Sequence, residues 1–209
     1  MTEQAKKKGT TTVGIVYKDG VVLAADMRAS AGHLAVHKKS KKIYHVVDGI
    51  AMTTSGAVSD SRMLYEYLKA ELELYTLSKK EKPTIEVATA ILRNIIYGGA
   101  KGFFPYMVGI MLAGPSEEKG FKLYSIWADG SLVADDYMSI GSGMEIAYGA
   151  LETSFKEKMT EEQAVVLAAK SVNTALKRDV FSGDGIVIAI VNGQGYKEID
   201  PKKISQILK

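Results

Sequence analysis

Two apolar runs open the patterned part of the chain. Thr10 to Tyr17 and Val21 to Asp26 are rich in β-branched residues, and Lys18-Asp19-Gly20 between them is a hairpin turn signal. Lys41 to Val47 and Ile50 to Ser55 repeat the arrangement around Asp48-Gly49. The period then changes. From Asp60 to about Leu77, Leu64, Leu68, Leu72 and Tyr75 recur at helical spacing. A second helix is predicted after Pro83, with Thr84 near its start and Ile85, Ala88, Ile91, Leu92 and Ile95 on its buried face. Gly98-Gly99 marks its end. Strands resume at Tyr106 to Ala113, Lys122 to Trp127 and Ser131 to Ser139, with a turn at Asp129-Gly130. Two more helices are predicted, from about Glu145 to Phe155 and from Glu161 to Lys177, the latter with Thr160 as N-cap. Strands at Gly185 to Val191 and Tyr196 to Ile199, turned at Asn192-Gly193, precede a short amphipathic tail.

Strands and helices are therefore grouped: strands, two helices, strands, two helices, strands. Single alternation, the mark of a doubly wound parallel sheet, is missing. The grouping suits an α+β fold in which antiparallel sheets are packed together and covered by helix pairs. No linker, repeat or low-complexity segment interrupts residues 10–209, which predicts one domain. Residues 1–9, Met-Thr-Glu-Gln-Ala-Lys-Lys-Lys-Gly, have nothing to bury and read as a disordered leader.

Composition narrows the classes. With 46% hydrophobic and 24% charged residues, the 209-residue chain has the balance of a soluble globular protein. No apolar run reaches the roughly 18 residues that a membrane span needs, so no membrane partner is expected. There is no cysteine, which removes disulfides, thiolate metal ligands and a cysteine nucleophile, and fits a cytoplasmic setting. Residues 1–42 hold nine Lys/Arg against three Asp/Glu, the remainder 18 against 21. The basic stretch His37-Lys38-Lys39-Ser40-Lys41-Lys42 has no interleaved aromatic residues, so it reads as a solvated loop rather than a nucleic-acid surface. His33, His37 and His45 lack metal-ligand spacing, and no metal is expected. Zinc-protease, phosphate-loop, complete dinucleotide-binding and serine-hydrolase elbow motifs are all missing.

The triplet Thr10-Thr11-Thr12 offers a different chemistry. A threonine hydroxyl is a weak nucleophile unless a base stands beside it, and one solution is the residue's own α-amine. That amine has a reference pKa of about 7.7–8.0, close to working pH. It exists only once the peptide bond before the threonine is cut. A disposable leader ending in Gly9, followed by Thr10 at a strand tip, is what such a design requires. Asp26 closes the second strand, and a lysine beside the amine and hydroxyl would favour their deprotonation while a carboxylate held it charged. Lys41 and Lys42 point to opposite faces by strand parity, and the pattern alone does not choose between them.

With these residues in view, the chain resembles the β subunits of archaeal-type 20S proteasomes, threonine proteases of the N-terminal-nucleophile hydrolases. The resemblance spans essentially the whole chain. It rests on Gly-Thr-Thr-Thr-Val-Gly-Ile at 9–15, Ala-Ala-Asp-Met-Arg at 24–28, His-Lys-Lys-Ser-Lys-Lys-Ile at 37–43 and Ser-Gly-Ala-Val-Ser-Asp at 55–60. Lys-Ala-Glu-Leu-Glu-Leu-Tyr at 69–75, Gly-Ser-Gly at 141–143 and Lys-Arg-Asp-Val-Phe-Ser-Gly at 177–183 complete it. It implies a four-layer α/β/β/α sandwich of two antiparallel sheets flanked by helices. It implies Thr10 as nucleophile, freed by autocatalytic cleavage of Gly9–Thr10; Lys42 rather than Lys41 beside it; and Asp26 orienting the lysine. Ser142, Asp179 and Ser182 would hydrogen-bond around the Thr10 amine and hydroxyl. Gly56 N–H would stabilise the oxyanion, Ser30 and Gly56 would hold substrate backbone, and Arg28 would support the site. Ala29, Ser40, Thr54 and Val58 would line the first specificity pocket, small or mildly polar residues that suit apolar side chains.

The implied partners are proteasome α-subunits, other β-subunits in stacked seven-membered rings, and unfolded polypeptide, with an ATPase regulator acting only indirectly. No cofactor is implied. The main alternative is an unprocessed, catalytically silent β subunit of the same ring. A different amide hydrolase of the superfamily fits the Gly-Ser-Gly and Lys-Arg-Asp-x-x-Ser-Gly contexts less well. A nucleic-acid-binding module is the remotest reading.

Overall fold

The structure, a computed structural model, describes residues 9–118 and 120–209. The expectation of a disordered leader falls, for residues 1–8, outside the described residues. Seventeen elements follow in the grouped order that the pattern predicts. β1 (Thr11–Tyr17) and β2 (Gly20–Asp26) form the first hairpin, and β3 (Ala29–Ala31) and β4 (Leu34–His37) a small second one. β5 (Ile43–Val47) and β6 (Ile50–Gly56) lead into helices α1 (Val58–Lys79) and α2 (Ile85–Ala100). β7 (Val108–Ser116), β8 (Gly120–Trp127), β9 (Leu132–Ala134) and β10 (Tyr137–Gly141) precede α3 (Met144–Ser154) and α4 (Glu161–Leu176). β11 (Ile186–Asn192), β12 (Gly195–Glu198) and α5 (Pro201–Ile207) complete the chain.

Two five-stranded antiparallel sheets result, ordered β10-β1-β2-β11-β12 and β5-β6-β7-β8-β9. Strand alternation gives each sheet two apolar faces. On the first sheet, Val13, Ile15, Val22, Ala24 and Ile188 pack against Leu151, Ala168 and Val172 of α3 and α4. On the second, Ile50, Met52, Ile110 and Leu112 pack against Leu64, Leu68 and Leu72 of α1 and Leu92 and Ile96 of α2. The remaining faces meet each other through Leu23, Ala25, Ala189, Ala51, Met111 and Leu123. The layers are thus helices, sheet, sheet, helices: the four-layer sandwich.

The helix ends have local causes. Thr84 accepts from Val87 N at the start of α2. Thr160 and Gln163 form a reciprocal capping box at the start of α4, which satisfies two otherwise unpaired N–H groups. Some details differ from the pattern's reading. The Ser131–Ser139 run is broken at Asp135-Asp136, and its halves join different sheets as β9 and β10. α1 begins two residues earlier than Asp60, without a side-chain cap. On α2, Ile96 is fully buried while Ile91 and Ile95 are only half-buried at the edge of the core.

Candidate active site

Thr10 lies one residue before β1, whose register pairs Thr11 with Gly141 of β10 and Thr12 with Ala25 of β2. The start of β1 therefore sits between a glycine turn and the end of β2. That turn comes very close: a Cβ built on Gly141, whose φ is +102°, would fall 2.1 Å from the Thr10 carbonyl oxygen. Thr10 is 5% exposed. Its backbone N–H donates to Ser142 Oγ at 3.1 Å, and Gly143 N–H donates to its carbonyl oxygen at 3.3 Å.

Asp26, at the end of β2, is 1% exposed and its carboxylate is fully engaged. Oδ1 accepts from Thr11 N at 3.0 Å and from Lys42 Nζ at 2.5 Å; Oδ2 accepts from Arg28 N and Gly183 N, both at 3.0 Å. Three backbone donors and an ammonium are what a buried carboxylate needs. Lys42 is 7% exposed, whereas Lys41 lies on the surface, its ammonium 5.6 Å from the Tyr44 ring centroid. Lys42 precedes β5, and its carbonyl accepts from Thr54 N at 3.0 Å, so strand parity does not govern it. Burial pushes the Lys42 ammonium below the usual lysine range, against the opposing pull of Asp26.

A second cluster reaches Thr10 through Ser142. Ser142 Oγ and Ser182 Oγ both donate to Asp179 Oδ2, at 2.5 and 2.6 Å, and Phe181 N donates to Asp179 Oδ1 at 3.1 Å. The 179–184 segment is anchored by Arg28, whose Nε donates to Asp184 Oδ2 at 2.7 Å and Nη1 to Val180 O at 3.0 Å. The pairing with Asp184 raises the Arg28 pKa and holds the Asp184 carboxyl below its ordinary range. Gly183 lets this guanidinium come near, since a Cβ there would fall 2.4 Å from Nη2.

A cavity of about 210 Å³ opens in front of Thr10. Gly9, Ala29, Ser30, Ser40, Lys42, Thr54, Gly56 and Val58 all line it. Gly56 ends β6 with φ +100°, and a Cβ there would lie 2.2 Å from Met107 O, so glycine is required. Gly9 N donates to Ser30 Oγ at 3.2 Å. Among the described residues no cluster of His, Asp and Glu side chains could hold a metal ion.

A family described as proteasome subunit matches residues 6–191. This chain belongs to the proteasome family, among β subunits of the archaeal type. The proteasome subunit beta of Ferroglobus placidus is 40% identical over 203 residues, 97% of this chain and 95% of that protein. The proteasome subunit beta 1 of Thermococcus sibiricus is 43% identical over 204 residues, 98% and 97% of the two chains. The proteasome subunit beta 2 of Pyrococcus furiosus is 40% identical over 204 residues, again 98% and 97%.

In this β subunit the residues named from the sequence fall into three groups around Thr10: the Asp26–Lys42 pair, the Ser142–Asp179–Ser182 cluster, and the cavity wall with Ser30 and Gly56. Sequence reasoning did not single out Thr11, Phe181, Asp184, or Tyr44 and Val36 of the cavity wall. Only Thr11 carried a signal, as a neighbour within the threonine triplet.

Proposed function

We propose that this β subunit is a threonine endopeptidase, with Thr10 as its nucleophile once residues 1–9 have been removed as a propeptide. The observation that carries this reading is that Thr10 and Lys42 line one open cavity, with Lys42 held by the buried Asp26 that also accepts from the Thr11 N–H, and with Ser142, bonded to Asp179, accepting from the Thr10 nitrogen. Proteins seldom bury an ammonium whose ionisation is disfavoured without a use for it.

Turnover follows from the groups present. An extended, unfolded polypeptide lies along the cavity, its backbone bonded to Ser30 and Gly56 as an added strand. The Thr10 α-amine takes the hydroxyl proton, and Oγ attacks the substrate carbonyl carbon. The oxyanion is received by Gly56 N–H, an interaction worth about 3–4 kcal/mol in other hydrolases. The C–N bond breaks, the amine leaves with the proton, and an ester to Thr10 remains. Water, deprotonated by the same α-amine, hydrolyses the ester and restores the hydroxyl. No cofactor enters these steps.

Leader removal uses the same hydroxyl on the Gly9 carbonyl. The Thr10 nitrogen is then still an amide, so water or the neutral form of Lys42 accepts the hydroxyl proton. The Gly9 C–Thr10 N bond breaks, the nitrogen takes that proton and becomes the α-amine, and water hydrolyses the Gly9 ester left on Oγ, releasing the leader as an acid. Gly9 is required here, because a Cβ on it would fall 1.7 Å from Phe181 Cβ. The subunit works in a chamber made with proteasome α-subunits and further β-subunits, whether of one kind or several. The silent-subunit alternative is separated by experiment. In particles assembled with α-subunits, a peptide carrying an electrophilic carbonyl at its C-terminus adds covalently to Thr10, and T10A abolishes both the adduct and peptide hydrolysis. A particle that forms no adduct, or whose T10A variant retains activity arising from this chain, rejects the reading.

A further inference from the structure

Thr11 is wholly buried, and the chemistry proposed above makes no use of its hydroxyl. A strand residue in this place needs none, since valine has nearly the same shape and suits β structure well. Yet Thr11 Oγ1 lies 2.8 Å from Ser182 Oγ, across 171 positions of sequence. The fit is close: a Cβ built on Gly143 would fall 2.1 Å from the same oxygen.

The direction of this bond follows from hydrogen counting. Ser182 has one hydroxyl hydrogen, and it goes to Asp179 Oδ2 at 2.6 Å. Ser182 Oγ is therefore the acceptor toward Thr11, and Thr11 donates. Ser142 Oγ reaches the same Asp179 oxygen at 2.5 Å and accepts from Thr10 N at 3.1 Å. Two short chains thus end on one carboxylate oxygen, one starting at the Thr11 hydroxyl and the other at the Thr10 nitrogen. The Thr11 backbone N–H, meanwhile, donates to Asp26 Oδ1, the oxygen that holds Lys42. Thr11 touches both arms of the site.

We propose that Thr11 is a positioning residue of the threonine protease site: its hydroxyl, donated to Ser182, fixes the Asp179–Ser142 arm against the Thr10 nitrogen, while its N–H fixes the Asp26–Lys42 arm. The proposal rests on Thr10 being the nucleophile. Without the Thr11 hydroxyl, Ser182 Oγ becomes a buried acceptor lacking its partner, and its hydroxyl is free to turn from Asp179. Asp179 then holds Ser142 less rigidly, and the amine loses its alignment with the Thr10 hydroxyl. Substrate binding is spared, because Ser30 and Gly56 stand in β3 and β6, outside this set of bonds.

The test compares wild type, T10A, T11V and T11S in particles assembled with α-subunits, with rates expressed per chain shown by intact mass to have lost its leader. An inactive wild type, or an active T10A, removes the reading beneath the proposal and is recognised before Thr11 enters. With that reading standing, T11V lowers kcat about five- to tenfold, the scale of one lost hydrogen bond, and leaves KM within about twofold. T11S, which keeps the hydroxyl and loses the methyl, recovers most of that kcat. The opposite order, with T11V at the wild-type rate and T11S reduced, assigns Thr11 a packing role and overturns the proposal, as does an equal rate in all three. Should T11V fail to assemble, T11S decides alone: a kcat below about half the wild-type value overturns the proposal, and a value above it supports it.

Discussion

Lys42 Nζ meets Asp26 Oδ1 at 2.5 Å in a pair almost closed to water, with side-chain exposures of 6% and 0%. Removing one partner strands the other, a change that costs about 3–5 kcal/mol for buried pairs. D26N is therefore expected to weaken the assembled particle as well as to stop hydrolysis. K42M, of similar length, is expected to reduce hydrolysis and leader removal by at least about a hundredfold. Thermal unfolding and peptide hydrolysis of the two variants check this.

The same pair sets a pH dependence. Burial lowers the Lys42 pKa in the folded chain relative to its value of about 10.4 when unfolded. Between the lowered value and about 10.4, the unfolded chain binds more protons than the folded one, so stability rises with pH across that window. Below the window the charging penalty is fully present and does not change. Wild-type particles should thus gain unfolding temperature relative to K42M as pH rises through the window, with a constant difference below it. A difference that shrank with rising pH would contradict the assignment.

Gly9 is pressed against Phe181, so even one methyl must displace backbone: Phe181 Cα would be 2.8 Å from the new Cβ. G9A is expected to slow leader removal at least about tenfold, as a near-attack geometry is lost. Chains that do lose the leader should then hydrolyse peptides at the wild-type rate. Time-resolved intact mass, followed by assay of the processed fraction, separates the two effects.

Gly56 holds φ +100° with Met107 O at 2.2 Å from any Cβ. G56A must move the N–H that is proposed to receive the oxyanion. Hydrolysis should fall by about a hundredfold or more, the usual cost of one such donor. A variant with unchanged kcat would move the oxyanion site elsewhere.

Arg28 grips Asp184 and Val180 O through a partly exposed contact. Solvent screens such a pair, so its loss changes stability little. R28A should nonetheless lower kcat several-fold, because the segment carrying Asp179 and Ser182 is no longer held. Parallel unfolding and kinetic measurements distinguish this from general destabilisation.

Much of the architecture was legible because its causes are local. Leu64, Leu68 and Leu72 sit one helical turn apart on a buried face, and Asp48-Gly49 closes a two-residue turn between β5 and β6. The β3–β4 hairpin was not legible: Ala29–Ala31 and Leu34–His37 are short and largely exposed, so they carry no alternating pattern. The change of sheet at Asp135-Asp136 is set by where β10 pairs with β1, which no local signal encodes. In the site, Thr10 and its glycine leader suggested the chemistry, and Asp26 was visible as a carboxylate ending a strand. The choice of Lys42 over Lys41 came from the family likeness, because Lys42 lies before β5, outside its strand alternation, and meets Asp26 from there. The Thr11–Ser182 bond joins two hydroxyls from opposite ends of the chain and has no signature in the sequence.

The most direct measurement is the intact mass of this chain, taken from particles assembled with proteasome α-subunits. The expected chain begins at Thr10, residues 1–9 having been lost, in wild type but not in T10A. A wild-type chain that keeps its leader in the assembled particle would contradict the threonine-protease reading and mark a silent subunit.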